Sequence, residues 1–367
     1  MLAFQSISLV HFKNYQQRSF TFEAPIIGIH GNNGVGKTNL LDAIYYLCIT
    51  KSYFTRIETN NVLHGQSGFR LSGDIKRWDK EENAICIVRE NGKKEFLLDE
   101  EPYEKFSQHI GRYPCVVIAP DDAVLITGDS KMRRTLLDAI LCQVDKKYLQ
   151  NLIGYKRILT QRNALLKSFF ETGKKDFTLL TVLDEQLSQY GTDLFESRRT
   201  FLQTYLPLVF DFYKIIAATK NGSSQTEDIA FTYVSSLLDM DFANILKMNR
   251  QKDYLAQRTT DGIHRDDIQI ELNGQPFKAI ASQGQRKSLL FALKLAEFEK
   301  LKEAQKLAPI LLLDDVFEKL DETRIGNLLQ LVCKNNEGQV FITDTNKERL
   351  MQHIEPLKVP YQMIALS

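Results

Sequence analysis

Apolar positions come in short runs over residues 1–119 and in long helical stripes after them. Residues 2–9 alternate apolar and polar, and 18–22 carry a second short strand pattern. Residues 26–29 are a continuous apolar run, as in a strand buried on both faces. A helical stripe follows, with Leu40, Leu41, Ile44, Leu47 and Cys48 predicted on one face. Residues 69–75 and 84–88 are strand-like, Asn91-Gly92 predicts a tight hairpin into 95–98, and 115–119 is a buried-type strand stopped by Pro120. From Ser130, an N-cap candidate, stripes run through Leu136, Leu137, Ile140 and Leu141, then Leu152, Ile158, Leu159, Leu165 and Leu166, up to a break at Gly173. A second long helical stretch covers 178–218 and is closed by Asn221-Gly222-Ser223-Ser224. Strand patterns return at 229–234, 268–272, 310–313 and 340–343. The expected architecture is an α/β head split in sequence, with its halves at 1–125 and 226–367 and a helical arm inserted at 126–225.

Composition narrows the class without deciding it. The 367 residues are 43% hydrophobic and 25% charged, ordinary values for a globular chain with a sizeable core. A net charge of +1 argues at first against a uniformly basic nucleic-acid binder. The five cysteines are widely spaced with no CxxC pair, which disfavours a zinc site or a disulfide framework. The first residues are too polar for a secretory leader, and no apolar run reaches membrane-spanning length, so a cytoplasmic location and no membrane partner are expected.

Gly31-Asn32-Asn33-Gly34-Val35-Gly36-Lys37-Thr38 fits G-x-x-x-x-G-K-[ST], with a strand before it and a helix after it. The glycines let backbone N–H groups converge on phosphate oxygens, and the helix N-terminus adds positive charge. Lys37 would supply a mobile cation, Thr38 a hydroxyl for Mg²⁺, and His30 and Asn39 flank the site. Residues 310–315 form an apolar strand that ends in Asp314 and Asp315. Two solvated strand-end acids are the plain reading. With a phosphate loop in the chain, Asp314 becomes a candidate Mg²⁺ ligand and Asp315 the group that orients or deprotonates the attacking water. These motifs must meet at one phosphate, so the helical segment between them has to leave the head and re-enter it. Ser282-Gln283-Gly284-Gln285-Arg286 opens another helical pattern. Ser282, Gly284 and Gln285 read either as a plain N-cap or as a second anion site that meets the γ-phosphate of another subunit.

The ordered set of the loop at 31–38, SQGQR at 282–286, LLLDD at 311–315 and Leu320-Asp321 resembles ABC-type ATPase heads. The sequences HFKNY at 11–15, PDDAVLITGDSKMRRTLLD at 120–138 and TTDGIHRDD at 259–267 resemble the RecF family in particular, over nearly the whole chain. The resemblance implies an SMC- and Rad50-like head with a short arm, ATP and Mg²⁺ as cofactors, and an ATP-dependent homodimer with slow, DNA-dependent hydrolysis. It also implies binding of double-stranded and gapped DNA, the mediators RecO and RecR as partners, RecA loading at gaps, and roles in replication restart and the SOS response. There are departures. Lys13 stands where the family usually has Arg, and Ile263 where it has Pro. Asp315 replaces the Glu of ABC transporters, and Phe341-Ile342-Thr343-Asp344-Thr345 carries no switch His. A small-molecule kinase, a nuclease-partnered ATPase and a nucleotide-binding module without turnover stay open as alternatives.

Charge is unevenly spread. Residues 131–175 carry eleven Lys and Arg against three acids, a net of +8 in 45 residues. Lys131, Arg133, Arg134, Lys146, Lys147, Lys156 and Arg157 are the leading candidates for contacts to a DNA backbone, with Arg162, Lys167, Lys174 and Lys175 in the same stretch. Lys51, Arg56, His264 and Arg265 are weaker ones. Acidic stretches such as 297–322 cancel this excess, and a salt-sensitive DNA binder is expected.

Overall fold

The computed structural model describes residues 1–174, 176–217, 228–317, 322–334 and 338–367. The continuous apolar runs become the strands of a parallel five-stranded sheet, ordered Tyr361–Ala365, Ile26–His30, Val340–Asp344, Ile310–Leu313 and Cys115–Ile118. The three central strands and Cys115–Ile118 are buried almost throughout, which is why their sequences show no alternation. Pairing of Leu313 with Ile118 and Ile342, and of Thr343 with Ile29, sets the carboxyl ends of four strands side by side. Ligands of open α/β sheets bind at that edge. The last strand, 361–365, escaped the sequence reading. Its side chains are only half-buried, so its pattern is weak.

The remaining strand patterns of residues 2–98 fall in a second sheet that the sequence reading did not foresee. It is antiparallel, ordered Tyr15–Thr21, Leu2–Phe12, Phe69–Arg77, Lys80–Val88, Lys94–Leu98 and Glu101–Pro102. Gly92, at φ 73°, makes the hairpin turn that Asn91-Gly92 announced. The helix Lys37–Ile49 packs against strands of both sheets. Eleven of its thirteen residues are buried, not one face only as the stripe suggested, because it is covered from two sides. Gly73 allows the close approach: a Cβ there would lie 2.8 Å from Leu47 Cδ1 and 3.0 Å from Phe4 Cε1.

The chain divides into two compact units, Met1–Asp122, Asp211–Ser224 and Gln283–Ser367 in one, Ala123–Phe210 and Gln225–Ser282 in the other. Residues 228–282, expected with the head from sequence, cluster instead with the helices. The second unit contains the helices Ser130–Val144 and Lys146–Thr172 and most of Phe177–Ala217, and a small sheet of Gln275–Pro276, Asp267–Leu272 and Ile229–Val234. Asp129, not Ser130, caps the first of these helices, accepting from Lys131 N. Gly173 ends the second in the left-handed conformation. The Asn221-Gly222-Ser223-Ser224 turn and Leu320-Asp321 lie outside the described residues.

Buried arginines explain why 228–282 belongs with the helices. Arg198 donates to Asp138 Oδ1 at 2.8 Å, Asp266 Oδ2 at 3.0 Å, the Ile263 carbonyl at 2.8 Å and the Tyr148 hydroxyl at 3.0 Å. Arg162, with no exposed surface, donates to Asp184 and Asp253 at 2.7 Å and to Thr259 at 2.9 Å. Each guanidinium thus bridges helices to the 253–266 segment, and each compensates carboxylates that share its burial. Removing one partner strands the others away from water. Arg198→Ala is expected to cost about 3–5 kcal/mol and to lower the melting midpoint measured by circular dichroism, whereas substitution of an exposed arginine such as Arg157 should leave it nearly unchanged.

Candidate functional site

The strand Ile26–His30 runs into the glycine loop at the carboxyl edge of the parallel sheet. Gly34 and Gly36 have φ of 84° and 109°, values that side chains rarely adopt. A Cβ at Gly34 would meet nothing within 4 Å, and Asn32, Asn33 and Gly34 form an exposed crest. Val35 points back and packs against the core. Gly36 is closed in from behind: a Cβ there would lie 2.7 Å and 2.8 Å from the Asn14 amide and 2.9 Å from the Tyr15 hydroxyl. Tyr15 donates to the Gly36 carbonyl at 2.9 Å, and Asn39 Nδ2 donates to Asn14 Oδ1 at 2.8 Å. Burial pushes the Tyr15 phenol up to about 12, so it remains a donor at neutral pH.

Lys37 is buried and donates to the carbonyls of Gly31 at 2.9 Å and Asn32 at 3.1 Å, lying across the inside of the loop. The hydroxyl of Thr38 sits 3.0 Å and 2.9 Å from the two oxygens of Asp314. Thr343 Oγ1 donates to Asp314 Oδ1 at 2.7 Å and accepts from Asp315 N at 3.0 Å. Asp314 is buried, and its desolvation pushes the carboxyl above the usual carboxylate range, opposed by hydrogen bonds from Thr343 and Thr38 and by the Lys37 charge. Asp315 follows in a left-handed conformation at φ 44°, a strained position for a residue with a side chain. A threonine hydroxyl and a carboxylate converging beside a lysine are hard oxygen donors of the kind Mg²⁺ takes beside phosphate. The glycine cradle and this donor set fit a nucleotide with its cation.

Residues 3–364 match the family model described as RecF/RecN/SMC N terminal domain. A Flavobacterium johnsoniae protein named DNA replication and repair protein RecF is 38% identical over 360 residues, which is 98% of this chain and 99% of that protein. The chain belongs to the RecF family. A Bacteroides thetaiotaomicron relative with the same name is 37% identical, covering 98% of this chain and 96% of that one. Among solved structures, the recombination mediator protein RecF-ATPrS in the RecFOR pathway superimposes with a TM-score of 0.85 at 27% identity, covering 94% of this chain and 93% of that one. An Smc head from Pyrococcus furiosus, at 16% identity and a TM-score of 0.54, shares the fold. The fold is therefore the ATPase head of RecF and Smc proteins with a helical insertion.

In this RecF-family chain several of the sequence candidates come together and others do not. The loop, Thr38, Asp314 and Asp315 meet at one sheet edge. His30 ends the strand Ile26–His30 opposite Asp344, and its imidazole is pushed below its ordinary range by desolvation and by Lys347. Ser282 is exposed just before the helix Gln283–Gln305. Further along that helix Lys294 pairs with Glu297 at 3.1 Å, both buried, and reaches the Tyr53 hydroxyl at 3.4 Å. Of the DNA candidates, Lys131, Lys146, Lys147, Lys156 and Arg157 are exposed. Arg133 and Arg134 drop out: Arg133 forks onto Asp267 at 2.8 Å and 3.0 Å, and Arg134 donates to the Asp266 carbonyl. Arg162 is wholly buried, and Lys175 lies outside the described residues. His264 has a structural place: Tyr155 and the Thr259 carbonyl hold its ring, and burial lowers it to about 4.

Sequence reasoning missed the role of the 11–15 turn. Lys13, in a left-handed conformation, pairs at 2.5 Å with Asp42 of the loop helix. Asp42 is fully buried and also accepts from Ser52 Oγ at 2.6 Å and Tyr53 N at 2.7 Å. Lys13 is committed to this internal pair. Only the adjacency of HFKNY to the loop in three dimensions reveals it. Lys13→Ala leaves a buried carboxylate without its cation and should cost about 3 kcal/mol in urea unfolding, most of it restored in the Lys13→Ala/Asp42→Asn double variant.

Proposed function

We propose that this chain is an ATP-dependent DNA-repair ATPase that closes as a homodimer around nucleotide on DNA. The meeting of Thr38 with Asp314 across 276 positions carries the reading, because a loop helix and a strand-end acid have no other reason to share one donor set. In this reading the amides of residues 31–38 take the phosphates, with His30 and Asn39 at the margin. Lys37 moves its ammonium from the Gly31 and Asn32 carbonyls to the β/γ-phosphate oxygens. Thr38 and Asp314 hold Mg²⁺, which when bound neutralises phosphate charge. Asp315, tethered through its N–H to Thr343, orients the attacking water, and its short side chain suits slow turnover. Ser282, Gly284 and Gln285 of a second copy cover the terminal phosphate. A small-molecule kinase has no support in a chain that matches the RecF family over nearly its whole length.

The exposed Lys131, Lys146, Lys147, Lys156 and Arg157 supply the DNA surface, and it is sequence-independent because they meet phosphates, not base edges. Work with RecO and RecR, RecA loading at gaps, replication restart and SOS induction follow from the family and from the RecFOR pathway named for the solved relative. A cytoplasmic location agrees with this role.

Asp315→Asn is expected to retain ATP binding and to accumulate dimers in sedimentation velocity with ATP and Mg²⁺. Dimers no more abundant than in the unaltered protein would reject the switch. Replacing Lys146, Lys147, Lys156 and Arg157 by Glu should weaken duplex binding by about 100-fold or more at moderate salt and flatten the log K against log salt slope by about 3–4, read by fluorescence anisotropy.

A further inference from the structure

The far end of the helical hairpin carries two phenyl rings that its core does not use. Bonds from Asn151 to Asp193 and from Arg162 to Asp184 set the helices Lys146–Thr172 and Phe177–Ala217 antiparallel, so the residues around Gly173 form a tip. The tip has a small core of its own, Leu166, Phe169 and Leu180, with Leu165 and Tyr254 packed against it. Phe170 and Phe177 stay outside that core, 47% and 54% exposed. Phe177 meets Phe169 edge-on, 6.2 Å between ring centroids, and Phe170 lies 5.8 Å from Tyr254 of the helix Arg250–Ala256. Leu255, next to Tyr254, is exposed as well. Large apolar side chains gathered at a surface mark a place where something binds.

Cations are threaded between these rings. Lys167 precedes Phe170 by about one turn, and Lys174 stands between Phe170 and Phe177 in sequence. Both are exposed, and Lys167 has a loose surface pair with Glu171 at 3.7 Å. Lys252 and Arg258, on either side of Tyr254 in sequence, are exposed too. Lys156 lies on the same face of the helix, about three turns before Lys167 and about four before Phe170, roughly 21 Å along the axis. The tip therefore continues the lysine surface. The alternation of rings and cations selects the occupant. A protein segment seated here would set its apolar core against ammonium groups, and such cores are depleted in lysine. A duplex keeps its base faces stacked inside. A single nucleic-acid strand presents base faces and phosphates in alternation, and takes rings and lysines together.

We propose that the hairpin tip is a stacking platform for single-stranded nucleic acid: unpaired bases lie on the rings of Phe170 and Phe177, and Lys167 and Lys174 take the phosphates between them. This rests on the DNA-binding reading given above and extends it from the duplex surface at residues 146–157 to an unpaired strand. The contacts are non-covalent and read no sequence, since every base has a π-face.

The test uses the full chain with ATP and Mg²⁺ and reads binding by fluorescence anisotropy. The probes are duplex DNA, oligo(dT) of about 20 nucleotides, and an abasic deoxyribose-phosphate oligomer of the same length. The unaltered protein should bind oligo(dT) about ten-fold or more tighter than the abasic oligomer, which has the phosphates without the bases. The double variant Phe170→Leu/Phe177→Leu, which keeps apolar surface without the rings, should lose that preference while its duplex affinity stays within about two-fold. Phe170→Tyr/Phe177→Tyr should keep the preference. Melting by circular dichroism should be unchanged in both, because both positions are exposed. The proposal is overturned if the leucine pair retains the preference for oligo(dT), which would leave the patch to a protein partner. It is equally overturned if the tyrosine pair loses the preference as the leucine pair does, or if duplex binding falls in parallel. If the unaltered protein binds duplex but shows no preference for oligo(dT) over the abasic oligomer, this proposal falls alone. If it binds none of the three, the DNA-binding reading falls and takes the proposal with it.

Discussion

The Thr38 hydroxyl and the Asp314 carboxylate, three ångströms apart, impose the constraint around which the ATPase unit is organised. One lies at the start of the buried helix and the other at the end of a buried strand 276 residues later. For them to meet, the parallel sheet must interleave strands from both ends of the chain, and it does: Ile26–His30 is flanked by Tyr361–Ala365 and Val340–Asp344, and Ile310–Leu313 lies beside Cys115–Ile118. The carboxyl ends of these strands then share an edge, where the glycine loop, Asp314 and Thr343 emerge together. Everything inserted between residues 123 and 282 has to respect that closure.

Support for this edge comes from behind as much as from within. Tyr15 and Asn14 press on Gly36, Lys13 neutralises Asp42 on the loop helix, and the Tyr53 backbone holds the same carboxylate. The Tyr53 hydroxyl donates to Asp122 and is reached by Lys294 of the SQGQR helix. A chain of buried polar contacts thus connects the 11–15 turn, the loop helix and the helix that begins at Gln283. Such networks are worth most when fully satisfied, since each unpaired member would be a charge without water. The second unit uses the same device, with Arg162 and Arg198 as its centres.

The same two arginine clusters explain how charge should be counted in this protein. The stretch 131–175 is strongly basic in sequence, yet Arg133, Arg134 and Arg162 are consumed internally by Asp267, the Asp266 carbonyl, Asp184 and Asp253. What faces solvent is a smaller set dominated by lysines. The near-neutral total therefore conceals both an internal cancellation and an exposed excess, and only the second can attract a polyanion.

The phosphate loop was legible because its chemistry is local: glycines, a lysine and a threonine at fixed spacing need no distant partner to be recognised. The buried strands were legible because a strand covered on both faces must be apolar at every position. The hairpin at Asn91-Gly92 was legible because left-handed turn geometry selects those residues. The meeting of Thr38 with Asp314 was inferable once both motifs were seen, since one phosphate needs both. Lys13, Asn14, Tyr15, Thr343 and Arg198 were not legible in their roles. Each acts through a partner that another element brings to it, and a lone lysine, tyrosine or arginine carries no mark of whether it faces water or a buried carboxylate. Residues 228–282 joined the helices for the same reason, through Asp253, Thr259 and Asp266. Local conformational preference and the burial of the continuous apolar strands were therefore set by the sequence alone. Which charges pair and which remain exposed was decided only in the tertiary structure, where desolvation makes an unpaired buried charge too costly to keep.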